Sequence, residues 1–137
     1  MQPVKSFSVF GEQVDILLSG QQTGGACAVL VQTSPPGGGP PPHVHAFEDE
    51  TFQPLDPGFE FLVDGKWIPV PPGHSLFASR GTPHTFRNVG SSNGRILILV
   101  APAGLDAYLE KIGPLSPASD MAEIISISEQ YGIRFLP

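Results

Sequence analysis

The sequence predicts an all-β fold, a sandwich or barrel of antiparallel strands, followed by one or two short C-terminal helices. Three observations lead there. About ten short apolar or alternating runs follow one another at near-regular spacing, the pattern of strands in a closed all-β domain. Turn residues separate them, and 16 Gly and 16 Pro spread along the 137 residues interrupt any long helical period before position 104. Hydrophobic residues make up 40% of the chain and charged residues only 15%, too apolar and too weakly charged for disorder.

One core suffices at this length, with roughly two-thirds of the unfolded chain's surface buried on folding. Residues 1–137 are therefore read as a single domain, with a barrel core at about 7–101 and a helical segment at about 104–137.

The first strands fall around 7–10, 14–19 and 26–33, separated by Gly, Gln and Ser. By composition, Ser34-Pro35-Pro36-Gly37-Gly38-Gly39-Pro40-Pro41-Pro42 looks like a linker between domains. The strands before it are too few to close a core and more resume at once after it, so it is read as an internal loop. Those later strands fall at about 43–46, 50–55, 59–63, 66–70, 74–78, 84–88 and 94–101. Asp56-Pro57-Gly58, Asp64-Gly65, Pro71-Pro72-Gly73, Gly81-Thr82-Pro83 and Ser91-Ser92-Asn93-Gly94 supply the turns between them.

After residue 103 the period changes. Leu105 to Ile112 repeats apolar residues at three and four and stops at Gly113-Pro114, and Ser119-Asp120 can cap a second helix ending near Tyr131-Gly132. Both helices are expected on the barrel's outside or against a partner subunit.

The net charge of −6 and the seven scattered Lys and Arg offer no footprint for phosphate backbones, so neither nucleic acid nor membrane is an expected partner. The N-terminal Met1-Gln2-Pro3-Val4-Lys5 is not a basic stretch leading into an apolar one, and no run approaches a membrane span. A soluble, cytoplasmic protein is expected. Cys27, the single cysteine, lies in the apolar run Ala26 to Val31 and is read as a small buried hydrophobe.

His43-Val44-His45 places two imidazoles at i and i+2 of a strand, hence on one face. After a tight turn through Ala46-Phe47-Glu48-Asp49, Glu50 opens the next strand, and its carboxylate can swing back toward the pair. His84 lies on a strand that can pass beside the first two in an antiparallel barrel. Three neutral imidazoles and one carboxylate suit one divalent Fe, Mn, Ni, Co or Zn ion, and six-coordinate geometry would leave two positions open for water, dioxygen or a chelating substrate. The plainer alternative is unrelated histidines satisfied by hydrogen bonds; the complete set of four weighs against it.

The spacings Gly37-x5-His43-x-His45-x4-Glu50 and Gly73-x5-Ser79-x-Gly81-x2-His84-x3-Asn88 resemble the two signature motifs of the cupin family. The flanking Glu48-Asp49-Glu50-Thr51-Phe52 and Gly81 to Asn88 add to the resemblance, which covers about 26–101. It implies a double-stranded β-helix (jelly-roll) barrel, with the residues matching His43, His45, Glu50 and His84 as metal ligands on its inner face. Tyr131-Gly132-Ile133 after a helical stretch also resembles small single-domain bacterial cupins grouped with quercetin-dioxygenase-like proteins. Cupins commonly pair through sheet edges and terminal arms, and the N-terminal strand here has no obvious partner, so a homodimer is expected.

Ser79 stands where the second motif usually has Pro, and Asp56-Pro57-Gly58 delays a Gly by one residue; both changes lie in turns. Pro54 within a strand removes a ladder donor and suggests an edge or a bulge. Glu48 fits a shorter form of the first motif, but Glu50 is preferred because Glu48 and Asp49 suit an exposed turn.

His74, exposed at a strand start, is assigned no role. Most of Phe47, Phe52, Phe59, Phe61, Trp67, Phe77 and Phe86 are expected to fill the core. Phe52 and Phe86, each two residues beyond a proposed ligand, are expected to wall a substrate pocket, and Asn88 shares that face by the same count, while Thr85 and Arg87 should point outward.

The resemblance implies a dioxygenase-like oxidoreductase acting on a small oxygen-bearing molecule, with Glu50 as ligand and catalytic base. A small-molecule-binding or sensing module and a non-redox metal-dependent isomerase or lyase use the same residues, and the sequence does not separate the three.

Overall fold

A computed structural model describes residues 2–137. Eleven strands and two helices follow the chain: β1 (Lys5–Val9), β2 (Glu12–Leu18), β3 (Ala28–Ser34), β4 (His43–His45), β5 (Asp49–Pro54), β6 (Phe59–Val63), β7 (Lys66–Pro69), β8 (Leu76–Ala78), β9 (His84–Asn88), β10 (Gly94–Ala101), α1 (Leu105–Ile112), α2 (Pro117–Gln130) and β11 (Ile133–Phe135). Antiparallel pairing arranges them as a six-stranded sheet, β1-β2-β3-β10-β5-β8, facing a five-stranded one, β11-β4-β9-β6-β7. This is the antiparallel barrel the spacing of short strands predicts, in the jelly-roll form that the family resemblance implies.

Period-2 alternation drives the assembly. Along β10, Gly94, Ile96, Ile98 and Val100 are buried while the residues between them are exposed or half-buried. Their inward partners from β5 and β3 include Phe52 and Leu30, both opposite Ile98. Phe52, Phe61 and Phe86 join the two sheets, with Phe61 5.2 Å from Phe52 and 5.7 Å from Phe86 between ring centroids. Each such side chain contributes about 1.5–3 kcal/mol through removal from water.

Not every aromatic serves the core. Phe77 is 63% exposed, because Leu76 and Ala78 take the inward positions of edge strand β8. Trp67 lies on edge strand β7 with the Arg87 guanidinium 3.8 Å above its ring. Phe47 is exposed in the turn before β5, its ring lying against Gly132.

Cys27 is only half-buried, since β3 begins one residue later and Thr23 Oγ1 holds Cys27 by donating to its carbonyl at 2.6 Å. The N-terminal strand, expected to lack a partner, pairs with β2 from Lys5↔Ile16 to Val9↔Glu12. Pro54 is tolerated at an edge: the next residue, Leu55, donates to the Arg95 carbonyl at 2.8 Å, and β8 pairs only with Glu50 to Phe52.

The Pro/Gly-rich segment is an internal loop, as expected, and lies along β9. Gly37 donates to the Asn88 carbonyl at 2.8 Å, Asn88 donates to the Gly38 carbonyl at 3.0 Å, and Thr85 Oγ1 donates to the Pro40 carbonyl at 2.5 Å. Thr85, predicted to point outward, is consequently 2% exposed. Gly39 is required there: its φ is +139°, and a Cβ would lie 2.0 Å from the Phe86 carbonyl oxygen.

α2 starts earlier than the Ser119-Asp120 signal suggests. Pro117 occupies its first turn, where a missing N–H costs nothing, and Asp120 interrupts it with φ −120° and ψ 21°. The chain after Gly132 is not the tail of a helical segment. Gly132 adopts φ +71°, and Ile133 to Phe135 then form β11 against β4. Among the described residues no helix is long and apolar enough to cross a membrane.

Candidate metal centre

Strand alternation turns His43 and His45 to the same inner face of β4, and the β4–β9 ladder sets His43 directly opposite His84. Glu50 arrives from the other sheet, on β5. The quartet thus closes the space between the two sheets. One donor atom from each of His43, His45, Glu50 and His84 lies within 4.8 Å of every other. Glu50 Oε1 is 2.8 Å from His45 Nε2 and 3.1 Å from His84 Nε2. Metal–ligand bonds of about 2.0–2.2 Å put adjacent donors about 3 Å apart and opposite ones about 4 Å apart, so the cluster has the dimensions to hold one ion.

The outer nitrogens explain why the inner ones converge. His43 Nδ1 donates to the Pro41 carbonyl at 2.8 Å, and His84 Nδ1 donates to the Thr82 carbonyl at 2.9 Å. Both contacts reach back two residues across a proline, Pro42 in one case and Pro83 in the other, whose fixed φ holds the carbonyl in place. This tautomer leaves the Nε2 lone pair facing inward, the arrangement metal-binding histidines show. His45 has no preceding proline, and its Nδ1 donates instead to Glu48 Oε1 at 2.8 Å.

Glu48 is therefore not on an exposed turn, as its sequence position suggests, but 3% exposed beneath the site. Sequence reasoning missed this role. The available signals were the i,i+3 spacing to His45 and the absence of a Pro-His pair there.

Electrostatics divide the histidines. Burial, reinforced by the neighbouring His45 and His84, lowers His43 to about 4 and keeps it neutral. Burial also opposes charge on His45, but the hydrogen bonds to Glu48 and Glu50 outweigh it and raise the group to about 9. Glu50, despite complete burial, is held well below the usual carboxylate range, chiefly by the hydrogen bond from His45 Nε2. Without a metal ion, His45 is an imidazolium at neutral pH, hydrogen-bonded to Glu48 and Glu50.

Because the folded value of His45 lies above the ordinary 6.5, its charged pairing stabilises the metal-free protein fully below about pH 6.5 and is lost as pH rises through about 9. A metal ion needs the same Nε2 as a lone pair. Metal binding at pH 7 is accordingly expected to release about one proton. Calorimetric titration with Zn(II) in two buffers of different protonation enthalpy measures this, and release near zero contradicts the assignment.

The centre opens onto an apolar cavity of about 190 Å³. Phe52 and Phe86 line it, as their register predicts, together with Ile98 and Val14. Asn88 does not: its amide donates to the Ser34 and Ser92 carbonyls and accepts from Gly90 N–H, which fastens the β9–β10 turn. Leu105, Tyr108, Leu109 and Ile112 close one side, so α1 serves as a cavity wall and not only as outer packing. Buried Tyr108 shares a 2.7 Å hydrogen bond with Ser128, which ties α1 to α2. His74 stays exposed and apart from the centre.

Comparison with known proteins agrees with this architecture. The family described as Cupin domain matches residues 30–100. No curated protein matches the chain. Among solved structures, KdgF from Halomonas sp. is similar at 20% identity, with a TM-score of 0.64 over 77% of this chain and 88% of that one. A predicted oxalate decarboxylase from Thermotoga maritima is 24% identical, with a TM-score of 0.62 over 72% of this chain and 90% of that one. The polyketide cyclase RemF from Streptomyces resistomycificus is 22% identical, with a TM-score of 0.61 over 74% and 79%. Identities this low bear on fold alone, and that fold, the matched segment and the two motifs agree: the chain belongs to the cupin family.

Proposed function

We propose that the protein is a metal-dependent, dioxygenase-like oxidoreductase acting on a small oxygen-bearing organic molecule. The observation that carries this reading is a buried set of four donors opening onto a largely apolar cavity. A divalent transition metal ion bound there supplies Lewis acidity and lowers the pKa of a substrate hydroxyl. His43, His45, His84 and Glu50 would hold it, and the Glu50 carboxylate would also be placed to take a proton from the substrate. Phe52, Phe86 and Ile98 exclude water from the reacting face.

Cavity size narrows the substrate. An apolar cavity of about 150 Å³ accepts benzene, so about 190 Å³ suits one substituted ring or its aliphatic equivalent.

Oxygen uptake by protein loaded separately with Fe(II), Mn(II), Ni(II), Co(II) or Zn(II) tests the proposal, with catechols and one-ring enediols as substrates. Turnover is expected with one of the redox-active ions and not with Zn(II), which has no redox chemistry. Product formation without oxygen, and equally with Zn(II), would instead mark a non-redox isomerase or lyase.

A further inference from the structure

Two hairpins of this chain share one turn geometry and differ in a single respect. In the β6–β7 hairpin, Val63 pairs with Lys66 and the two-residue turn is Asp64-Gly65, with φ of +53° and +74°. In the β1–β2 hairpin, Val9 pairs with Glu12 and the turn is Phe10-Gly11, with φ of +51° and +83°. Left-handed backbone at both positions is what a tight hairpin of this type requires, and Asn, Asp or Gly normally fills the first. Asp64 conforms. Phe10 does not, and a bulky residue with positive φ is a genuine outlier.

The Phe10 ring shows where the strain is used. It is 42% exposed and outside the buried core, yet it lines the cavity that opens from the metal centre. It therefore stands at the rim, with one face toward solvent and the other toward the interior. Leu109 and Ile112 of α1 and half-buried Phe135 of β11 line the same cavity. The adjacent carboxylate, Glu12, already accepts from Gln32 Nε2, Ser34 Oγ and Gly39 N–H, so the polar group at that end is engaged. What remains for a ligand there is apolar surface.

Register gives the reach. Glu50 and Pro54 are four residues apart on β5, and Pro54 lies level with Ile96, Gln32 and Val14 across three successive ladders. At 3.3 Å per residue the level of Val14, a cavity-lining residue just inside the Phe10 turn, lies about 13 Å along the strand direction from the level of Glu50.

We propose that Phe10 is a specificity-determining residue at the cavity rim, held in a strained turn so that its ring contacts the apolar end of a ligand whose oxygen-bearing head sits at the metal centre. The ligand class is a metal-binding oxygen head joined to a ring or chain of about six to eight carbons. This rests on the metal-centre reading above, and the test separates the two.

Zn(II)-loaded wild type, Phe10→Asp and Phe10→Leu are titrated calorimetrically with acetohydroxamate, which offers the head alone, and octanohydroxamate, which adds the chain. Phe10→Asp is expected to leave the acetohydroxamate Kd within about twofold and weaken octanohydroxamate about tenfold, with Phe10→Leu between. Phe10→Asp should also keep or raise the Tm, by about 3 °C, because it restores the residue type the turn favours. Equal octanohydroxamate binding by wild type and Phe10→Asp overturns the proposal. So does a lowered Tm with both hydroxamates weakened together, since Phe10 would then be a structural staple.

Failure of the wild type to bind Zn(II) refutes the metal centre and leaves the rim measurable. 1-Octanol added to metal-free protein should then raise the Tm of wild type more than that of Phe10→Asp, and equal shifts overturn the Phe10 role.

Discussion

Glu50→Gln is expected to lower bound metal from about one equivalent to less than about a tenth, and to abolish turnover. The carboxylate is 3% exposed and supplies the only anionic oxygen in the quartet. Glutamine has the same shape but neither the charge that offsets a divalent ion nor a second acceptor oxygen, so the ion would be left short of compensation in a buried site. The consequence can be read without any substrate. A ligand present at 100 times its Kd stabilises the folded state by about 2.7 kcal/mol, which for a domain of this size is a Tm rise of about 10 °C. Wild type should show that rise with added Zn(II) or Ni(II), and Glu50→Gln should show almost none. Metal content by elemental analysis and Tm by calorimetry provide independent readings. A variant that still binds a full equivalent would remove Glu50 from the ligand set.

That His43 and His45 share a face is legible in the sequence because the rule is simple, whereas the preference for Glu50 over Glu48 rested on an exposed turn that the fold in fact buries. A strand has period 2, so His43 and His45 must share a face, and the spacing to Glu50 and His84 follows from short strands joined by tight turns. The same rule placed Phe52 and Phe86 in the cavity wall. It fails where burial is decided by something other than alternation. Thr85 is on the outward face of β9 but is covered by a loop crossing from another part of the chain. Phe77 has the composition of a core residue and the position of an edge one. β11 is three residues long, too short for any period to show, and exists because β4 offers it a ladder. α1 was legible as a helix from its spacing, whereas its use as a cavity wall depends on how β1 and β2 frame the opening. Glu48 was hidden most completely, because turn residues between strands are ordinarily solvated and nothing local distinguishes the one that folds under a histidine.

Glu48→Ala is therefore expected to weaken metal binding, where the sequence alone argues for no effect. Removing the partner of a ligating histidine typically costs 10- to 100-fold in affinity, because the ring loses its orientation and its Nε2 loses basicity. Here a second effect of opposite sign operates. Glu48 and Glu50 together raise His45 to about 9, so at pH 7 a metal ion must displace a proton held about two pH units above the solution. Alanine removes one of those two acceptors, the proton is held less firmly, and competition against the metal falls. The two effects partly cancel at pH 7. Near pH 9.5 the proton is largely gone from both proteins, and the loss of orientation stands alone. The affinity deficit of Glu48→Ala relative to wild type should accordingly be several-fold larger at pH 9.5 than at pH 7. Glu48→Gln keeps an acceptor for Nδ1–H without the charge, so its deficit at the higher pH should be smaller than that of alanine. Competition titrations against a chelator of known affinity at the two pH values give all of these numbers. A variant that binds metal more tightly than wild type at pH 7 and equally at pH 9.5 would mean that Glu48 acts on the charge of His45 alone and does not hold the ring in place.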